Sequence, residues 1–172
     1  IILNTVKYLD KKKFRVTICN FWDKETLKEE FLKYGAEVIL LRAKRVFDLF
    51  AWFRLLRLLL KRQPDIIHTI LPELSIPLRL VFSPFAKSII VHTFRNPLYS
   101  EPLCLRLLNL LTLPLCAAIN APSPGLTEEI TKKLPWLKNK VSVIANGIDF
   151  EEFFSSLNEK NAPTLREELH IK

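Results

Sequence analysis

Val141-Ser-Val-Ile-Ala-Asn-Gly-Ile-Asp149, followed by Phe150-Glu-Glu-Phe153, sets the reading of the whole chain. Its β-branched run reads as a short buried strand. Asn146-Gly147 then supplies a turn, because Gly accepts positive φ freely and Asn at modest cost. Working outward, the same pattern recurs. Residues 14–19, 36–41, 65–69, 88–93 and 117–121 are short apolar runs, each read as a strand. Between them lie stretches of helical period. Residues 1–9 carry apolar side chains at 1, 2, 3, 6 and 9, and further helices are expected over 24–34, 46–62, 74–82, 102–115 and 124–134. Gly35 stops the second helix, Pro64 ends the third, and Ser123 caps the last, with Glu128 and Glu129 near its positive end. Strands that are apolar throughout are expected to be buried on both faces. Their alternation with helices predicts an α/β fold, a Rossmann-like parallel sheet with helices on both faces.

Composition bounds the rest. The chain has 172 residues, 49% hydrophobic and 26% charged, enough for one sizeable core and too apolar for disorder. Only three glycines occur, Gly35, Gly125 and Gly147, against a usual share of about 7%. A glycine-rich phosphate loop at a first strand–helix turn is therefore not found. The absence of Met and the opening on Ile1 lead us to expect a chain shortened at its N-terminus, and no signal peptide is visible. Cys19, Cys104 and Cys116 show no CxxC or metal-ligand spacing and are expected as inert core thiols in a reducing compartment. The net charge of +8 is uneven: residues 1–86 hold +7 of it and residues 87–172 only +1. A basic half calls for an anionic partner, either nucleic acid or a membrane surface.

The order of segments carries more than any one of them. Pro64-Asp65-Ile-Ile-His-Thr69, Val91-His-Thr-Phe-Arg-Asn96, the 141–153 stretch and Leu165-Arg-Glu-Glu-Leu-His-Ile171 stand in series. They resemble "pDiiHt", "vxTxHN", "viPNGiDxxxF" and "lRxxlgi", the text of the acceptor-side half of family 4 glycosyltransferases of the GT-B architecture. The resemblance implies transfer of a sugar from a nucleotide-sugar to a glycan or lipid-linked acceptor, without a metal ion or other cofactor. It implies that residues 1–154 are the acceptor-side domain. Residues 155–172 are then a linker toward a donor-binding C-terminal domain, so that this part alone is inactive. The donor-side EX7E motif should be lacking. The spacing does occur at Glu29/Glu37, Glu151/Glu159 and Glu159/Glu167, but none of these pairs shares one helix.

Ligands of an open parallel sheet bind beyond the carboxyl ends of its strands. His68, Thr93, Arg95, Asn96, Ser123, Asn146 and Gly147 are the candidate binding residues on that ground. Arg95 stands where the family commonly has His. Guanidinium cannot act as a base but can hold a phosphate or carboxylate in two-point fashion, so Arg95 is the electrostatic candidate at the reaction centre. His92 lies on the opposite sheet face and is expected to be structural.

Residues 42–62 hold seven basic side chains against Asp48 alone. Arg54, Arg57 and Lys61 share a helix face, with Phe47 and Phe50 beside them, while Leu49, Trp52, Phe53, Leu56 and Leu60 are expected to meet the sheet. Cations interleaved with aromatics suit an anionic membrane, which predicts a cytoplasmic protein bound peripherally to it. Residues 103–119 are apolar but short of the roughly 20 that span a bilayer. Two other classes share some of these features. A GT-B-type nucleotide-sugar epimerase would need an acid or base where Arg95 stands, and a nucleic-acid binder would need stacking motifs that are not found, so no nucleic-acid partner is expected.

Overall fold

The computed structural model describes residues 2–23, 25–46, 48–82 and 87–157. Phe47 and residues 158–172, which include most of the expected linker and the 165–171 run, lie outside the described residues. The elements follow the expected alternation. They are α1 (Ile2–Tyr8), β1 (Thr17–Trp22), α2 (Lys28–Lys33), β2 (Glu37–Ala43), α3 (Leu49–Arg62), β3 (Ile66–Thr69) and α4 (Pro72–Phe82). β4 (Ile89–Thr93), α5 (Leu103–Thr112), β5 (Ala118–Ala121), α6 (Pro124–Lys133), β6 (Val141–Val143) and α7 (Phe150–Leu157) complete them. The architecture is α/β and Rossmann-like, with parallel sheet strands and helices on both sides.

Two compact units make up the chain. One gathers Ile1–Ile18, Thr26–Val38 and the residues from Asn146 onward; the other gathers Cys19–Glu25 and Ile39–Ala145. The larger holds a four-stranded sheet of order β3-β4-β5-β6, all pairs parallel, while β1 pairs with β2. Its core is built on Ile67, Ile90, Ile119 and Ala121 from the strands, against Phe82, Leu126, Ile130 and Leu137. A second cluster packs Ala51 and Leu55 of α3 onto Phe21 and Leu41. The smaller unit closes around Val6, Phe31 and Ala36.

Several boundaries move for identifiable reasons. The first strand begins at Thr17, not at 14, because Asp10 holds a turn: its carbonyl accepts from Lys13 and Phe14, and its carboxylate from the Lys12 amide. α3 begins at Leu49 because Asp48 caps it, accepting from the Ala51 amide at 3.1 Å and the Lys44 amide at 3.0 Å. Those backbone bonds also lower the Asp48 pKa. Gly35 does stop α2, at φ 76°. Asn146-Gly147 does not form the expected left-handed turn, since neither residue has positive φ; the chain from Ala145 to Asp149 is irregular. The 103–119 run divides into α5, a single turn at Leu113–Leu115 and β5.

The expectation of strands buried on both faces needs correction. β3, β4 and β5 alternate, with Ile67, Thr69, Ile90, His92, Ile119 and Ala121 inside and their neighbours partly or fully exposed. β6, expected as a buried strand, has Val141 half-buried and Ser142 and Val143 exposed because it is an edge strand of the sheet. Of the cysteines only Cys116 is buried; Cys19 and Cys104 are exposed and all three are free. On α3, Leu49, Phe53 and Leu60 are exposed rather than turned to the sheet. The buried line runs through Ala51 and Leu55, with Trp52 and Leu59 packed beside it, which turns positions 49, 53 and 60 outward.

Candidate functional site

At the carboxyl end of the four-stranded sheet, the register sets Thr93 against Asn120 and Asn120 against Ser142. His68 pairs with Val91, two residues before Thr93, and so points to the same face. Four polar side chains therefore line up across four strands. His68 Nε2 lies 2.7 Å from Thr93 Oγ1, Asn120 Nδ2 donates to Thr93 Oγ1 at 3.4 Å, and Ser142 Oγ donates to Asn120 Oδ1 at 2.8 Å. The row is open: His68 and Ser142 are exposed, Thr93 and Asn120 half-buried. Partial desolvation of its ring lowers the His68 pKa, which keeps the imidazole neutral near pH 7.

The row joins two of the candidate residues, His68 and Thr93, and adds two that sequence reasoning missed. Asn120 and Ser142 interrupt otherwise apolar strands at outward positions, and that alternation was the available signal. Arg95 and Asn96 follow β4 after the buried Phe94 and are exposed. Ser123 is engaged as the α6 cap, where its Oγ accepts from the Leu126 amide at 3.3 Å. Asn146 and Gly147 are exposed and belong to the other unit.

Behind the row, on the inner face, lies a second polar group. His92 is fully buried, with Nδ1 at 3.1 Å from Thr69 Oγ1 and 3.3 Å from Ser75 Oγ, and its ring meets Phe94 edge-on. Burial, assisted by the nearby Arg79 cation, drives its pKa well below the ordinary histidine value. Arg79, also fully buried, donates through Nη1 to Asn109 Oδ1 at 2.7 Å and Thr112 Oγ1 at 3.0 Å. Asn109 in turn donates to Glu101 at 3.3 Å. His92 is thus structural, as expected, while the Arg79–Asn109 pair had no sequence signal beyond single polar residues on apolar helices.

In the smaller unit Asp149, the acid of the quoted 141–149 stretch, is buried and accepts from Lys7 Nζ at 2.5 Å and Tyr8 Oη at 2.7 Å. The bond to Asp149 raises the pKa of both partners. Lys7 also lies over the rings of Tyr8 and Tyr34.

The outward face of α3 carries Arg57 and Lys61 with Leu49, Phe50, Phe53 and Leu60, all exposed. Arg54 departs from expectation: its guanidinium bends back and donates to the Leu41 carbonyl. Among the described residues no helix is long and apolar enough to cross a membrane, and no three His, Cys, Asp or Glu side chains gather as a metal site.

No curated protein matches the sequence significantly. Residues 1–152, however, match the family described as Glycosyltransferase Family 4. The parallel α/β fold agrees with that match, and its span is most of the 172 residues, so the chain belongs to glycosyltransferase family 4.

Proposed function

We propose that this chain is the acceptor-binding half of a glycosyltransferase that moves a sugar from a nucleotide-sugar to a lipid-linked or cell-surface glycan precursor. A C-terminal domain of the whole enzyme binds the donor, and transfer takes place in the cleft between the two halves. The observation that carries this reading is the open polar row His68–Thr93–Asn120–Ser142 at the strands' carboxyl ends, with Arg95 just beyond. Hydroxyl, amide and imidazole groups in a line suit a polyhydroxylated acceptor, and Arg95 suits an anionic group such as a phosphate on acceptor or donor. The rate enhancement comes from positioning the acceptor and from cations and helix N-termini that stabilise the departing diphosphate, with no metal ion required.

The same reading places the protein peripherally on the cytoplasmic face of a membrane. The outward face of α3 joins two cations to four bulky apolar side chains, which suits an anionic bilayer that also presents the acceptor. The test is product formation by the full-length enzyme with a panel of UDP- and GDP-sugars and phosphate-bearing lipid acceptors. Product is expected from the full-length enzyme and none from residues 1–172. Turnover by the 172-residue chain alone overturns the division of labour, and no product with any donor overturns the substrate class.

A further inference from the structure

We propose that Asn120 and Ser142 are positioning residues for His68: they originate a one-way hydrogen-bond relay across four strands that holds the His68 proton on Nδ1. The proposal rests on the reading of this sheet end as the acceptor site, because it specifies what His68 would offer there. The direction follows from donor and acceptor capacity. Ser142 Oγ donates to Asn120 Oδ1 at 2.8 Å, which turns the amide so that Nδ2 faces Thr93. Thr93 Oγ1 then receives a hydrogen from Asn120; its second lone pair could take another from His68, but only the opposite direction uses the hydroxyl's own hydrogen within the row. His68 Nε2 lies 2.7 Å away and is the short contact left to it. Nε2 must carry the lone pair to accept that hydrogen. In a neutral ring the remaining proton is then on Nδ1.

The consequence is chemical. His68 is exposed, and Nδ1 makes no hydrogen bond among the described residues. What a ligand meets is an N–H donor, suited to a hydroxyl or phosphate oxygen, and not a base. An unrestrained neutral histidine in water favours the opposite tautomer, with its proton on Nε2. The relay therefore selects the minor form, and a sheet that merely tolerated His68 would have no reason to do so.

The tautomer is read directly by long-range 1H–15N correlation of the imidazole nitrogens in the 15N-labelled 172-residue chain at pH 7.5. There are only three histidines, and His68→Gln assigns the signal. The wild type is expected in the Nδ1–H form. Asn120→Asp puts an acceptor-only group in the row, so the Thr93 hydroxyl turns to it and receives Nε2–H from His68. Thr93→Val removes the relay and releases His68 to its solution preference. Both variants should switch the signal to the Nε2–H form, with the backbone amide spectrum reporting that each is folded. Nε2–H in the wild type, or Nδ1–H retained in either folded variant, overturns the relay. No substrate enters this measurement. A failed relay thus leaves the transfer assay to be decided separately, and a failed transfer assay leaves the tautomer as measured.

Discussion

His92 and His68 lie one register step apart on neighbouring strands, one fully buried and the other exposed, and take opposite roles. Ser75 donates its own hydrogen to the Leu71 carbonyl at 2.6 Å and Thr69 to the Val91 carbonyl at 3.3 Å. His92 Nδ1 is therefore the donor, its one hydrogen shared between the two hydroxyls, while burial and the Arg79 cation hold the ring neutral. The pH consequence has a definite sign. Below about pH 6.5 the unfolded chain protonates His92 while the folded chain does not, so the unfolded state binds more protons and stability falls on acidification. His68, also lowered, acts in the same direction; Glu101, raised by burial, acts in the opposite one at lower pH. We expect His92→Phe to flatten the profile. Between pH 7.5 and 5.5 the wild type should lose about 1 kcal/mol more than the variant in urea denaturation. At pH 7.5 the two should lie within about 1 kcal/mol, because Ser75 and Thr69 keep their carbonyl acceptors. Equal slopes would mean that His92 is not held neutral. Arg95 supplies the other test at this scale. Arg95→Lys keeps the charge but loses the planar fork, so kcat/KM of the full-length enzyme should fall about 10-fold or more. Unchanged kinetics would remove Arg95 from the site.

The helices show where a sequence pattern suffices and where it does not. Periodicity located the helices from α1 to α6, because apolar spacing reports which face is buried. It misplaced the rotation of α3, since Leu49, Phe53 and Leu60 read as core until Ala51 and Leu55 are seen to hold that position. The outcome strengthens the membrane reading: more apolar surface accompanies Arg57 and Lys61 than the sequence suggested. Arg57→Glu/Lys61→Glu should abolish co-sedimentation with anionic vesicles without unfolding the chain, and wild-type binding should weaken as salt rises. Equal binding to neutral vesicles, or an undiminished double variant, would leave α3 an ordinary solvated helix. Arg54 is left out of that variant because it ties the helix to Leu41. Between α4 and α5 the pattern was silent, since nothing in an apolar run announces that Arg79 will meet Asn109. Asn109→Ala takes the 2.7 Å acceptor from a fully buried guanidinium and should cost about 3 kcal/mol in denaturant unfolding. Arg79→Met/Asn109→Leu removes charge and acceptor together and should be more stable than Asn109→Ala alone. If it is not, Arg79 draws its support from elsewhere.

At the scale of the whole molecule, the parallel α/β class was legible because apolar strands alternate with helices, and the order β3-β4-β5-β6 is the one that consecutive parallel strands joined by helices take. The carboxyl ends of those strands were legible for the same reason, and with them His68 and Thr93. Asn120 and Ser142 were legible only as single polar residues in apolar strands; the row that joins them to Thr93 was not, because it depends on register, which no single strand records. The division into two units was not legible either, since it rests on contacts between distant parts of the chain. Lys7–Asp149 is the sharpest of these, linking α1 to the start of α7 across 142 positions. The two partners are unequally buried, at 28% exposure for the Lys7 side chain and 6% for Asp149, and the inequality makes a prediction. Asp149→Asn leaves a Lys7 that can reach water. Lys7→Met instead takes the facing ammonium from a carboxylate that cannot reach it, and a buried charge that loses its counter-ion is the costlier defect. Hydrogen exchange should therefore show faster amide exchange over Ile2–Tyr8 and Phe150–Leu157 in both variants. The effect should be about 10-fold or more in Lys7→Met and smaller in Asp149→Asn, with Ile89–Thr93 in the larger unit unchanged. The reverse order would show that the pair is held by packing of Lys7 on Tyr8 and Tyr34 and not by the charge on Asp149. Unaltered exchange in both would mean that α1 is secured by Val6, Phe31 and Ala36 alone.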